Sequence, residues 1–335
     1  MNAPLSPKQL QIDVLQHAVA TSTQHESAHL HVTGEAIYTD DIAAPRDTLS
    51  AAIGSGWWLA TPLLLAATLL VLGPALATLV LAFCDYDALS TPRFNGLDNL
   101  RRLLGDPLFW TSLGNSVLIA AVGGPLRLAI ALGLALLLMR QRPGVGVARA
   151  VTYLPSVVPD IAYALLWLWL LNPVYGPVGL ALRALGLPSE AWLISPLGSQ
   201  LSIVLLGLFQ VGEIYVVLLA ARRELPAELY ELCAIEGVSP WWTFRRVTLP
   251  LLMPTLIFLA ARDVVWGLQA SFVPALVITR GGPSNATLFL PLYAYQNGFE
   301  YFRFGYAAML SSAMFLMTAA MVWLQWRVLR RWQGR

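Results

Sequence analysis

The chain has 335 residues, 57% hydrophobic and 12% charged, with a formal net charge of +2. An ordinary soluble domain carries about 25% charged residues. The composition therefore excludes a solvated tail, a nucleic-acid binder and a disulfide-stapled secreted scaffold, and points to a chain solvated mostly by lipid. Charge is also unevenly placed. Residues 1–53 hold Lys8 (the only lysine), all four histidines and six acids, whereas 19 arginines lie beyond them.

In chain order, residues 1–55 predict a polar, disordered leader, foreign to the rest of the chain. His25, His29 and His31 do not complete a ligand set, so no metal site is expected. Residues 25–52 (His25-Glu26-Ser27-Ala28-His29 through Tyr38-Thr39-Asp40-Asp41-Ile42 and on to Ala52) resemble the N-terminal segment of the molybdenum-binding subunit of xanthine dehydrogenases. None of that enzyme's cofactor-binding region is present in the match, so it implies no cofactor. The first apolar run begins near Trp57, too far in for a signal peptide, and reads as an uncleaved anchor.

Six stretches then reach the roughly 20 apolar residues that a helix needs to cross a bilayer. They are 57–83; 113–139, interrupted by Arg127; 150–171, by Asp160; 201–221, by Glu213; 249–278, by Arg262 and Asp263; and 306–326. The links after spans two and four and the C-terminal tail carry eleven arginines. The links after spans one, three and five carry six, spread over longer loops. The positive-inside rule places both termini in the cytoplasm. On this topology Cys84 and Cys233 face opposite sides and cannot pair.

The loop 222–247 has a defined grammar. Leu225 to Ile235 reads as a short helix, with Pro226 at its first position, where a missing N–H costs nothing. Gly237 supplies a left-handed stop. Ser239-Pro240 caps and restarts a second helix, whose apolar face is Trp241, Trp242, Phe244 and Val247. On pattern alone this is either a handle for a partner or an amphipathic hairpin resting on lipid.

Glu231-Leu232-Cys233-x-x-Glu236-Gly237, followed by Leu249-Pro250, resembles the EAA loop of ABC-importer permeases, with Leu232 and Cys233 in place of two alanines and Glu236 in place of aspartate. Phe94-Asn95-Gly96-Leu97-Asp98-Asn99, Tyr153-Leu154-Pro155, Asn172-Pro173-Val174-Tyr175-Gly176, Thr279-Arg280-Gly281-Gly282-Pro283 with Thr287, Tyr295-Gln296 and Gly305-Tyr306-Ala307-Ala308 extend the similarity from about Trp57 to the C-terminus. The chain is thus similar to the maltose/glycerol-3-phosphate/oligosaccharide branch of that family. The resemblance implies an all-α membrane protein of the bacterial cytoplasmic membrane. It would have six transmembrane helices in the type I ABC-importer permease fold, spanning 56–335, with a cytoplasmic coupling helix–turn–helix at 222–247. It also implies ABC ATPase subunits, a second permease subunit and an external solute-binding protein as partners, and a sugar-like solute. Glu228, Glu231, Leu232, Cys233, Ala234, Glu236, Gly237 and Pro250 would form the ATPase-coupling set.

A P-loop requires G-x-x-x-x-G-K-[ST], and the single lysine, Lys8, stands in no such loop. ATP hydrolysis is therefore expected in a separate chain, with no cofactor and no nucleic acid here. Intramembrane charges are functional candidates by default. Counted at 1.5 Å per residue, Arg127 and Asp160 fall at similar depth and are expected to pair. Glu213 is expected near Arg262, with Asp263 pointing elsewhere. Trp266, Gln269 and Phe272, at i, i+3 and i+6, are the expected stripe along the solute path, where helix packing is an equal alternative. Tyr293, Tyr295, Gln296 and Asn297 lie in an external segment suited to a binding protein or a gate, and Gly281-Gly282-Pro283 shapes that segment's turn. A stand-alone secondary transporter or channel remains the alternative. An oxidoreductase subunit is suggested by the leader alone.

Overall fold

The computed structural model describes residues 57–139, 142–186 and 192–333; the expected leader, with its histidines, lies outside them. The chain divides into two units, Met1–Thr68 and Leu69–Arg335. In the first, the described residues form α1, Trp57–Ala67.

The second unit starts with α2, Gly73–Leu81, and a two-residue antiparallel pair, β1 Cys84–Asp85 against β2 Arg93–Phe94. Next come α3 Asp98–Gly105, α4 Pro107–Leu137, α5 Val145–Tyr153, α6 Asp160–Leu170, α7 Pro177–Ala184, α8 Pro196–Phe209, α9 Gly212–Arg223 and α10 Ala227–Ile235. The chain continues through α11 Pro240–Thr279, α12 Leu290–Tyr295 and α13 Phe304–Gln333. Among the described residues four helical stretches cross a membrane by length and composition alone: Ala60–Leu81, Pro107–Leu137, Pro240–Thr279 and Phe304–Arg327. Two bent pairs, α5 with α6 at 101° and α8 with α9 at 42°, bring the number to six if each is one span.

The bends are where the structure departs from six straight rods. Span three breaks between Ser156 and Asp160, where Pro159 lacks a ladder N–H and the residue preceding a proline is steered out of the α region. Span four breaks at Gln210, and the two breaks meet. The Gly212 N–H donates to Ser156 Oγ at 3.0 Å. A Cβ on Gly212 would lie 2.6 Å from that oxygen and 2.9 Å from the Tyr153 backbone. The expected second helix of the 222–247 loop is not separate either. It is the start of α11, continuous through Leu249-Pro250, with a π turn at Phe244–Thr248 just ahead of Pro250. Such one-turn insertions let a helix carry an irregularity without stopping.

Hydroxyls inside the helices bond backward. Thr78, Thr111, Thr152, Ser202, Ser311, Ser312 and Thr318 each donate to a carbonyl four residues earlier, at 2.7–3.0 Å. In hydrocarbon this leaves no donor exposed.

α4 is the axis of the second unit. Its small residues Ala131 and Ala135 sit fully buried against Ile214, Tyr215 and Leu218 of α9 and against Leu252, Leu256 and Leu259 of α11. Small side chains let helix backbones approach closely where lipid offers no hydrophobic drive. The last carbonyls of α4, otherwise orphaned, are capped by Arg149: its Nε donates to Leu138 O at 3.0 Å, and its Nη2 to Leu138 O at 2.6 Å and Met139 O at 3.2 Å.

The other end of α4 is locked by Asp106. Oδ1 caps the helix by accepting from Leu108 N at 2.9 Å, while Oδ2 accepts from the hydroxyls of Tyr293 at 2.5 Å and Tyr306 at 2.6 Å. Burial alone would raise this carboxyl, but the two phenols and the helix N–H groups outweigh it and hold it below the ordinary 3.8. Tyr293 is pushed up to about 12 by its own burial and by that carboxylate. A lowered acid stabilises the fold fully above its ordinary value, and that contribution disappears as pH falls through the folded-state value. Asp106→Asn should therefore flatten the acid limb of unfolding of the detergent-solubilised protein; an unchanged limb would refute the assignment.

Nearby, Gly305 donates its N–H to Tyr86 O at 3.1 Å. A Cβ at Gly305 would fall 2.0 Å from Cys84 O, a backbone atom that cannot step aside. Gly305→Ala should cost about 1–3 kcal/mol, read as a lowered thermal midpoint in detergent.

Tyr293 and Asn297, expected at an accessible external face, are buried. Tyr293 serves the lock, and Asn297 Nδ2 donates to the Tyr293 carbonyl at 2.9 Å. Gly281 and Arg280 take positive φ, of 86° and 51°, in the turn that brings residues 280–289 back over the bundle. Asn115 Nδ2 clamps that loop by donating to Asn285 O and Leu288 O. Gln200 Nε2 donates to Ala286 O, and Ser116 Oγ accepts from Leu290 N.

Candidate functional site

α10 is short, with solvent-facing Glu228, Leu229, Glu231, Leu232 and Ala234 and a half-buried Cys233; the C-cap, Glu236, is exposed. Pro226 stands one place ahead of its expected position, at the N-cap, where its missing N–H is equally harmless. The C-terminal turn is a Schellman motif. Val238 N donates to Cys233 O at 3.1 Å and Gly237 N to Ala234 O at 3.2 Å, with Gly237 at φ +66°. Ser239 Oγ then accepts from Trp242 N at 3.3 Å and caps α11. Pro250 sits exposed within α11, in a separate element from the acidic helix.

One side chain fastens α10 to the spans. The Arg222 guanidinium lies 3.7 Å from the Tyr230 ring centroid, and the Tyr230 hydroxyl is 3.2 Å from Thr248 Oγ1. Tyr230 thus touches the end of α9 and the π turn of α11 together. The opposite face is apolar and open: Leu232 is 56% and Ile235 82% exposed.

The buried charges pair differently from expectation. Arg127 Nη2 donates to Asp263 Oδ2 at 2.9 Å, with both side chains at most 6% exposed. Asp160 is not its partner. The depth count treats span three as straight, whereas the break before α6 turns Asp160 onto a different path. Arg262, adjacent to Asp263, forms an ion pair with Glu213, as its spacing suggests. The Arg127 guanidinium also lies 4.1 Å from the Trp266 ring centroid. Three glycines clear its space: added Cβ atoms would lie 2.9 Å from it at Gly267, 3.5 Å from it at Gly207, and 3.0 Å from Asp263 Oδ2 at Gly124. Those glycines are the readable signal for a charge buried between α4, α8 and α11. Among the described residues Arg127 Nε and Asp263 Oδ1 have no hydrogen-bond partner.

Trp266 and Gln210 stand between two hollows. A narrow one, about 30 Å³, reaches Arg127, Gly207 and Ser271. A polar one, about 240 Å³, is lined by Ser156, Asp160, Glu213, Arg262 and Asp263. Gln269 and Phe272 line neither. They border a third, largely apolar hollow of about 540 Å³ beside Tyr295 and Phe304. The expected single stripe is therefore split. Each three-residue step turns a helix about 300°, so Trp266 and Phe272 point about 120° apart.

A family model described as "Binding-protein-dependent transport system inner membrane component" matches residues 126–334. The lactose transport system permease protein LacF of Rhizobium radiobacter is 31% identical over 283 residues, covering 82% of this chain and 94% of that protein. The trehalose/maltose transport system permease protein MalF of Thermococcus litoralis is 30% identical over 269 residues, covering 80% and 89%. A chain of a bacterial alginate ABC transporter, crystallised with an alginate-bound periplasmic protein, superposes with a TM-score of 0.72 over 86% of this chain and 98% of its own, at 21% identity, which shows the shared fold. The chain belongs to the inner-membrane components of binding-protein-dependent transport systems, the multi-pass permease subunits of ABC importers, whose ATPase is a separate chain.

Proposed function

We propose that this permease moves a sugar or related polar solute inward by alternating access, and that α10 is its mechanical input. The observation that carries the reading is α10 itself. It is an acid-bearing helix with an open apolar face, closed at its C-terminus by Gly237 and tied to α9 and α11 through Tyr230. A capped, anchored helix transmits displacement as a unit, whereas a free loop would bend. Glu228, Glu231, Leu232, Cys233, Ala234 and Glu236 are its coupling residues, with Glu228, Glu231 and Leu232 on the side away from Tyr230, and Gly237 holds its angle. Pro250 contributes only through the course of α11. The sugar class is supported by relatives named for lactose and for trehalose/maltose. A second permease completes the pore. Trp266 lies on the solute path, while Gln269 and Phe272 belong to the neighbouring apolar hollow.

On this reading the α10 end faces the cytoplasm, as do both termini. Residues 56–335 are the permease domain and residues 1–55 an independent leader. A stand-alone transporter would have no use for an exposed, rigidly capped α10. Cys233 provides the test, because the second cysteine, Cys84, is buried. A membrane-impermeant maleimide should label Cys233 in inside-out vesicles and leave right-side-out vesicles unlabelled, and an ABC ATPase should co-purify. Labelling from the outside, or uptake by the permease alone on an ion gradient, would refute it.

A further inference from the structure

The polar hollow beside Trp266 has an unbalanced charge. It is lined by three carboxylates, Asp160, Glu213 and Asp263, and one guanidinium, Arg262. Glu213 is neutralised by Arg262 and Asp263 by Arg127. Asp160 makes no ion pair or hydrogen bond among the described residues, so one negative charge facing the hollow is left over. It stands in the first turn of α6, and a helix N-terminus attracts an anion. That interaction does not use up its acceptor positions. A second observation points the same way. Asp263 Oδ1, on a side chain 3% exposed at the wall of the same hollow, accepts no hydrogen bond from the described residues. A buried acceptor left bare costs free energy until a donor arrives.

We propose that the solute received here is a small polyol carrying a protonated amine, an amino sugar in class, whose ammonium group is held by Asp160. This rests on the sugar reading above and narrows it. An ammonium brings three donors and a compensating charge, where a hydroxyl brings one donor and no charge. Charge-assisted bonds are roughly twice as strong as neutral ones. Ser156 and Gln210 supply hydroxyl partners, and Trp266 an aromatic surface. A volume of about 240 Å³ is below the ~300–1,000 Å³ of drug-sized pockets and suits a single sugar ring.

The test uses the assembled transporter in detergent, without its binding protein. Saturation-transfer NMR compares D-glucosamine with D-glucose, which differ only in an ammonium for a hydroxyl, at mildly acidic pH. Glucosamine should bind about tenfold more tightly, a difference of ~1.4 kcal/mol. Asp160→Asn should bring that ratio to about one, and Asp160→Glu should restore it. Equal binding of both sugars to the wild type, or a ratio unmoved in Asp160→Asn, overturns the amine proposal and leaves the sugar reading standing. Binding of neither sugar to the wild type overturns both. If Asp160→Asn binds neither sugar, Asp160→Glu decides: failure to restore the ratio overturns the assignment.

Discussion

A Gly237→Val variant should assemble with its ATPase, hydrolyse ATP and transport at least about tenfold less solute per ATP than the wild type. A Cβ at Gly237 meets nothing within 4 Å, so steric crowding plays no part. The cost comes from φ +66°, which a β-branched residue adopts at a penalty of about 1–3 kcal/mol. The chain escapes that penalty by opening the Schellman turn, which removes the bonds from Val238 to Cys233 and from Gly237 to Ala234. α10 then loses its fixed angle to α11. Gly237→Asn is the informative control, because asparagine enters the left-handed region readily, and it should keep most of the coupling. Equal loss in both variants would place the effect elsewhere than in backbone conformation. ATPase activity and uptake measured on the same proteoliposomes separate these outcomes.

The second large effect is at the buried pair. Asp263→Leu strands the Arg127 guanidinium between α4 and α11 and should destabilise the permease by about 3–5 kcal/mol, whereas replacing both partners with apolar residues should come much closer to neutral. The asymmetry arises because a buried pair returns little net stability, while a lone buried charge keeps its full desolvation cost. Thermal unfolding in detergent of Asp263→Leu, Arg127→Leu and the double variant reads this directly. A double variant no more stable than Asp263→Leu would contradict the pairing. The double variant should fold and still transport poorly, because Trp266 loses the cation that seats its ring 4.1 Å from the guanidinium.

The parts legible in the sequence are those set by local chemistry. Apolar runs mark the spans, Ser239-Pro240 marks a helix start, and Gly237 marks a left-handed stop, because each depends on a few neighbouring residues. The pairing of Glu213 with Arg262 survives the 42° bend at Gln210, which is gentle enough to leave the two charges within reach. Spacing gives Arg127 the wrong partner because depth along a span converts to position only if the span is straight, and span three breaks at Pro159, just ahead of Asp160. The 222–247 loop reads as two closed helices because Leu249-Pro250 looks like a boundary. Only the π turn at Phe244–Thr248 shows that the second helix is the beginning of α11. Tyr230, which fastens α10 to two spans, carries no local signature. Its partners Arg222 and Thr248 stand 8 residues before and 18 residues after it.

α10 is, on the proposed function, the surface through which a separate ATPase drives these spans. The most direct test of that role is cross-linking from Cys233 in the assembled transporter, using a short thiol-reactive photoprobe and mass spectrometry of the product. Adducts should form on the ATPase subunit, be lost in Cys233→Ser and be reduced when Glu231 and Leu232 are both replaced by lysine. Adducts confined to lipid, in a complex that still contains the ATPase, would contradict it.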